Sequence, residues 1–261
     1  MDTVTDPMPW VRAVRASHDR LAGIAGSLDS DGLRTRSYDK DWSIAQVLSH
    51  LGSQAEIFGL SLDAGLSGGD PPGQESFLPI WDKWNARSPE EQAAQSIAVN
   101  TALVARVEAL SEAELASIRV AMFGRILDAA GLLRMRLNEH AVHTWDVAVA
   151  LDPSARVAPD AVELLIDGVP QTLQWMSKKA DKPAVIAITT TGPARTFTLD
   201  TGGVTLTPGA PETPVTASLE ATTEALLRLV YGRVDESTAA PGELRLAGVT
   251  LAELRAVFPG F

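Results

Sequence analysis

The sequence predicts an α+β protein: a four-helix bundle followed by a smaller α+β domain. Three observations carry this. Through roughly the first 150 residues, apolar positions recur three and four apart with turn signals between the runs, which is the helical period. After the connector DPSARVAPD, at 152–160, the texture changes to short Val-, Ile- and Thr-rich segments split by Gly and Pro, which is a strand-and-turn pattern. Finally, 261 residues are enough for two domains at about 100 to 200 residues each. The boundary is placed near residue 155, giving a bundle over 1–155 and an α+β domain over 156–261.

Taken in order, helix one starts at Pro9 and carries Trp10, Val11, Val14, Leu21, Ile24 and Leu28 on one stripe. Ser43 lies three before Gln46, so hydroxyl and amide can satisfy each other's orphan backbone donors in a capping box, and helix two starts at Ile44. Its stripe is Ile44, Val47, Leu48, Leu51, Ala55 and Phe58, with His50 at the edge. The Gly- and Pro-dense stretch 65–79 is expected to be a long loop that covers a site. Ser88, Pro89 and Glu91 open helix three, whose buried side is Ile97, Leu103, Val104, Val107 and Leu110. Ser111 and Glu114 open a short piece, and the run from Phe123 to Asp152 is expected to be the longest helix. Beyond the connector come a helix through Val162, Leu165, Ile166 and Leu173 and a small antiparallel sheet from AVIAIT, RTFTLD, GVTLTP and PVTASLE. A helix over about 222–231, a strand at ELRLAG and a last helix capped by Thr250 and Glu253 complete the domain.

Composition removes several functions. With 33 acidic against 22 basic residues the net charge is -11, and no basic stripe compensates, so nucleic acid and anionic membrane are not expected partners. The absence of Cys excludes disulfides, Cys-based zinc fingers, iron–sulfur clusters and a nucleophilic thiol of the protein's own. Any metal must therefore be held by His and carboxylates. The N-terminus shows no targeting pattern and no apolar run approaches a membrane span, so a cytoplasmic protein is expected, as a monomer or small homo-oligomer.

Four histidines occur: His18, His50, His140 and His143. Glu139 and His143 are four apart on one helix and so lie on one face, the face that must pack. Opposite it, helix two presents His50. Two imidazoles and a carboxylate from two helices make a set the size of a catalytic zinc site, with three protein ligands and an open fourth position; two nitrogens favour zinc or another divalent transition metal over magnesium. Taken singly, each residue has a plainer reading, a surface pair or a satisfied core histidine, and it is their joint placement that favours metal. His140 projects away from Glu139 and is assigned an outer-shell or structural role. His18 is expected to be partly exposed. Asp146 is either the acceptor orienting a ligand imidazole or a partner of Arg136. Trp42, Trp81, Trp84, Trp145 and Trp175 are expected to be core anchors.

Two motifs point further. DKDWSIAQVLSHLGSQAE resembles the Trp-Ser helix start, with His seven residues after the Ser, of the mycothiol-dependent maleylpyruvate isomerase family, and LNEHAVHTWDVAVAL is similar to its Glu-x-x-x-His-x-x-Asp helix. The segments LLRLVYGRVDE and GVTLAELRAVFPGF resemble its C-terminal part. The resemblance implies a DinB-like zinc-binding bundle followed by a sterol-carrier-like domain, zinc ligands His50, Glu139 and His143, and an active-site arginine from the second domain, placed at Arg233 with Arg228 as alternative. It implies mycothiol, or a similar low-molecular-weight thiol, as cosubstrate and a small electrophile as substrate.

The reaction implied is maleylpyruvate-type cis–trans isomerisation or S-transfer. In either, zinc lowers the pKa of a thiol so that the nucleophilic thiolate exists at neutral pH. Two other classes fit the same residues: a hydrolase using zinc-bound water with Asp146 as base, or an apolar-ligand-binding protein with a structural metal.

Overall fold

A computed structural model of the chain describes residues 6–39, 41–122 and 124–260, and of Gln174 the backbone alone. Residues 1–5, which carry part of the reading that no targeting segment is present, lie outside the described residues. So do Lys40 of the first motif, Phe123, where the long helix is expected to begin, and Phe261 of the C-terminal segment. The chain divides into two compact units, Met1–Ala155 and Arg156–Phe261. No helix among the described residues is long and apolar enough to cross a membrane.

In the first unit four helices form the bundle: α1 (Met8–Gly26), α3 (Ile44–Ser67), α5 (Pro89–Glu108) and α7 (Ala129–Leu151). Contacts run α1 to α7, α7 to α3, α3 to α5 and α5 back to α1, which closes the ring. Shorter elements fill the connections: α2 (Ser30–Arg34), α4 (Phe77–Asn85), α6 (Glu112–Ser117) and the hairpin β1 (Val120–Met122) with β2 (Arg125–Leu127). The capping boxes of Ser43 with Gln46, Ser88 with Glu91 and Ser111 with Glu114 are all formed, so α3, α5 and α6 start where the sequence places them. Two apolar clusters hold the helices together. Leu21, Ile44, Leu48, Leu51 and Val147 pack in one, and Phe58, Leu62, Val107, Ile118 and Leu132 in the other. Each such buried side chain is worth about 1.5–3 kcal/mol relative to exposure.

The structure corrects two expectations here. The long last helix begins at Ala129, capped by Asp128, whose carboxylate accepts from the Gly131 amide. The residues before it pair instead as a hairpin, Ala121 opposite Ile126, a three-residue alternation too short to register against the helical period that follows. The stretch 65–79 is also only partly loop. Helix α3 runs on to Ser67 and ends at Gly68, whose φ of 67° is the left-handed conformation that suits glycine. Helix α4 starts at Phe77, with Pro79 in its first turn, where the missing amide hydrogen is not needed.

Helix α4 is fixed by Trp84. The indole is 1% exposed, its Nε1 donates to Glu56 Oε1 at 3.0 Å, and the Arg87 guanidinium stacks 3.8 Å from its ring centroid. The ring lies against α3 at Gly52, where a Cβ would come within 2.2 Å of it. Glycine is thus required for close approach. Gly52→Ala should lower the unfolding free energy by about 1–3 kcal/mol through overpacking, measured by urea denaturation; an unchanged midpoint would show that Trp84 can yield at no cost.

The second unit is an α+β layer. Strands β3 (Val185–Thr191), β4 (Arg195–Asp200), β5 (Thr205–Pro208), β6 (Ala217–Thr222) and β7 (Leu244–Ala247) form one sheet in the order β5-β4-β3-β6-β7. It is mixed rather than antiparallel, because β3 and β6 pair in parallel, Ile188 beside Leu219. Strands β4 and β5 peel off one edge of β3, so the chain must cross over to reach the other edge and arrives running the same way. Ile186, Ile188, Phe197, Leu199, Leu206 and Leu219 alternate onto the buried face. The helix expected through Val162 to Leu173 is divided into α8 (Pro159–Leu165) and α9 (Val169–Met176). Helices α10 (Thr223–Val230) and α11 (Leu251–Val257) complete the unit, each capped by a threonine. Trp175 is 61% exposed and is not a core anchor.

Candidate metal centre

The capped start of α3 sets His50 two turns into that helix, facing α7 at the level where Glu139 and His143 project. His50 Nε2 lies 3.2 Å from Glu139 Oε2 and His143 Nε2 lies 3.7 Å from the same oxygen. One ligand atom from each residue fits within a sphere of contacts no longer than 4.8 Å, and no other set of three such groups converges among the described residues. His143 Nδ1 lies 2.9 Å from Asp146 Oδ2, and Asp146 is fully buried. A carboxylate accepts, so Nδ1 carries the proton and Nε2 keeps its lone pair for the cluster. Trp42 sits over both imidazoles, its ring centroid 5.2 Å from that of His50 and 6.4 Å, stacked, from that of His143.

Electrostatics agree with this geometry. Burial pushes the Glu139 carboxyl up, but the hydrogen bond from His50 and the nearby Arg136 charge help to outweigh it and hold the group at about 2. Burial pushes the His50 imidazole down, against the raising effect of its bond to Glu139. An ionised carboxylate beside a neutral imidazole is the protonation state that a metal ion requires of its ligands. Two nitrogens and one oxygen, one imidazole oriented from behind, fit zinc or a neighbouring transition metal.

Beside Glu139 a cavity of about 400 Å³ opens into the bundle. The Glu139 side chain is 41% exposed against 14% for His143, so the centre is open on the carboxylate side. Phe77 and Trp81 of α4 line this cavity together with Phe58, Leu132, Met135 and Arg136. The segment expected to cover a site therefore contributes to its wall, as a helix. Trp81 is a wall residue rather than a core anchor; its signal in the sequence was the spacing Phe77, Trp81, Trp84, obscured by Pro79. Trp42 packs against the apolar cluster of Leu21, Ile44 and Leu48 as expected and also lies on the ligand histidines.

The other singled-out residues fall elsewhere. His18 is 2% exposed, contrary to expectation, with Nε2 2.9 Å from Thr101 Oγ1. It faces the interior of the bundle, edge-on to His140. His140 is buried, bonded through Nδ1 to Ser17 Oγ at 2.9 Å, and burial with nearby Arg136 drives its pKa well down. Arg136 does not pair with Asp146; its Nη2 donates to Asn100 Oδ1 and to the Leu51 carbonyl. In the second unit, Arg228 is buried between Glu224 and Glu243, at 2.7 and 2.8 Å, and Arg233 is buried with Nη1 donating to the Tyr231 carbonyl at 2.7 Å.

The family model described as "Mycothiol maleylpyruvate isomerase N-terminal domain" matches residues 14–148. Crystal structures of a mycothiol-dependent maleylpyruvate isomerase and of its histidine-to-alanine mutant are similar to this chain with a TM-score of 0.67 each. The identities are 14% and 13%, and 93% of this chain and of theirs is covered. At that identity the likeness is one of fold. No curated protein matches the sequence.

Proposed function

The chain belongs to the mycothiol maleylpyruvate isomerase N-terminal domain family through residues 14–148, and from that premise we propose a zinc-dependent enzyme that uses mycothiol, or a similar small thiol, as nucleophile toward a small electrophile. The observation that carries this reading is the set of three donors, His50, Glu139 and His143, open on one side to a cavity. A structural zinc is ordinarily closed by four protein ligands, whereas three leave a place for a reactant. The metal, when bound, would supply the Lewis acidity that makes a thiolate available at neutral pH. The chain has no Cys of its own, so the thiol comes from solution.

The protein's residues have distinct tasks. His50, Glu139 and His143 bind. Asp146 holds the His143 ring in the productive tautomer through Nδ1. It is a positioning residue and not a general base, because its carboxylate lies on the ring edge opposite the Nε2 that faces the cluster. That disfavours the hydrolase. Trp42 covers the two imidazoles and excludes water from that side. Of the two candidate arginines in the second unit, Arg228 is neutralised by Glu224 and Glu243, so Arg233 remains our assignment for a substrate carboxylate. Cis–trans isomerisation of maleylpyruvate is the reaction to assay first, with S-transfer as the variant in which the thioether is retained.

The test is turnover of maleylpyruvate by the zinc-loaded protein with and without mycothiol. Conversion is expected to fall to background when the thiol is omitted. Undiminished conversion without thiol would overturn the proposal in favour of a hydrolytic reaction.

A further inference from the structure

The wall of the cavity beside the metal centre is mainly apolar, with Ile57, Phe58 and Trp81 among its members, and Gln54, Ser61 and Gln74 add uncharged polar groups. Arg136 is its one cation. It is 3% exposed and lines the cavity. Burial lowers its pKa to about 10, with Glu139 opposing, so it stays charged at neutral pH. No carboxylate pairs with it. Nη2 is taken up by Asn100 Oδ1 and the Leu51 carbonyl, and among the described residues Nε and Nη1 have no hydrogen-bond partner. A buried guanidinium with three N–H groups unmet is costly unless something else meets them, and here the space beside it is a cavity. Glu139, the other charged lining residue, is spoken for by the two histidines.

We propose that this cavity is the electrophile's pocket and that a carboxylate of the electrophile is held there by Arg136, its carbon body lying against the apolar wall. The inference rests on the functional reading above and narrows its substrate class. The apolar wall removes the body from water, and the single cation supplies a charge-assisted bond to one anionic oxygen. Position matters as well: Arg136 is one helical turn before Glu139 on α7, so a ligand anchored there lies alongside the open edge of the metal centre.

The test uses phenylacetate and phenylacetamide as probes of the zinc-loaded protein by titration calorimetry. Phenylacetate should bind about 10- to 100-fold more tightly than its neutral amide. Arg136→Gln should abolish the preference for acid over amide, and Ile57→Trp, which fills the cavity, should weaken all binding. Should Arg136→Gln not fold, the wild-type protein still answers: its Arg136 Nε–H resonance should shift on adding phenylacetate. Equal affinity for acid and amide, an acid preference that survives Arg136→Gln, or an unmoved Nε–H signal would each overturn the proposal. No thiol or turnover enters these readouts, so a thiol-independent enzyme would leave the pocket assignment standing, and failure here would leave the thiol chemistry untouched.

Discussion

Replacing His50, Glu139 or His143 by Ala should empty the metal centre and take turnover to background. The purified protein should carry about one zinc per chain; each alanine variant should carry close to none after dialysis. The expectation follows from the count of ligands. Three donors converge on one point, and the fourth position belongs to a reactant, so removing any one leaves two, too few to hold the ion against buffer. Asp146→Asn is the graded control. It keeps all three ligands but weakens the acceptor that fixes His143 Nδ1, and should lower zinc affinity by about 10- to 100-fold without abolishing it. Competition with a chelating dye measures both classes, and circular dichroism checks that the bundle is intact. Full zinc occupancy in all three alanine variants would refute the site.

Much of this centre is legible in the sequence because helices repeat. The capping box at Ser43 fixes where α3 starts, and a fixed start with a fixed period places His50; the four-residue spacing does the same for Glu139 and His143. Asp146, three beyond His143, follows from the same geometry, although spacing alone could not choose between His143 and Arg136 as its partner. What the period does not reach is the cavity. Trp81, Phe77 and Arg136 come together through packing of α4 on α3, and that packing turns on one glycine, Gly52, under the ring of Trp84, a contact between residues 32 positions apart. The burial of His18 escapes the sequence for a related reason: its helix is amphipathic, but the bundle interior accepts a polar column in which Ser17 bonds His140 and Thr101 bonds His18. The parallel pairing of β3 with β6 is likewise set by a crossover and not by the alternation of either strand.

Cobalt in place of zinc should report directly on what fills the open position. Adding mycothiol to the cobalt form should produce a sulfur-to-metal charge-transfer band, and the pH dependence of that band should place thiol ionisation well below the free-thiol value of about 8.5. The physical reason is that a divalent cation stabilises the anionic form of its ligand, while a site of two neutral imidazoles and one carboxylate leaves a net positive charge for that ligand to meet. Glu139 is central to the size of the effect. It is the only anion among the three donors, so Glu139→Gln, where it still binds cobalt, should move the band's midpoint to lower pH, because the residual positive charge at the metal rises. His50→Ala, which removes a ligand instead of a charge, should lose the band with the metal. A hydrolase would keep water at that position, show no sulfur band and turn over without thiol. Absence of the band with mycothiol, together with turnover that is indifferent to it, would reject thiol activation as the purpose of this centre.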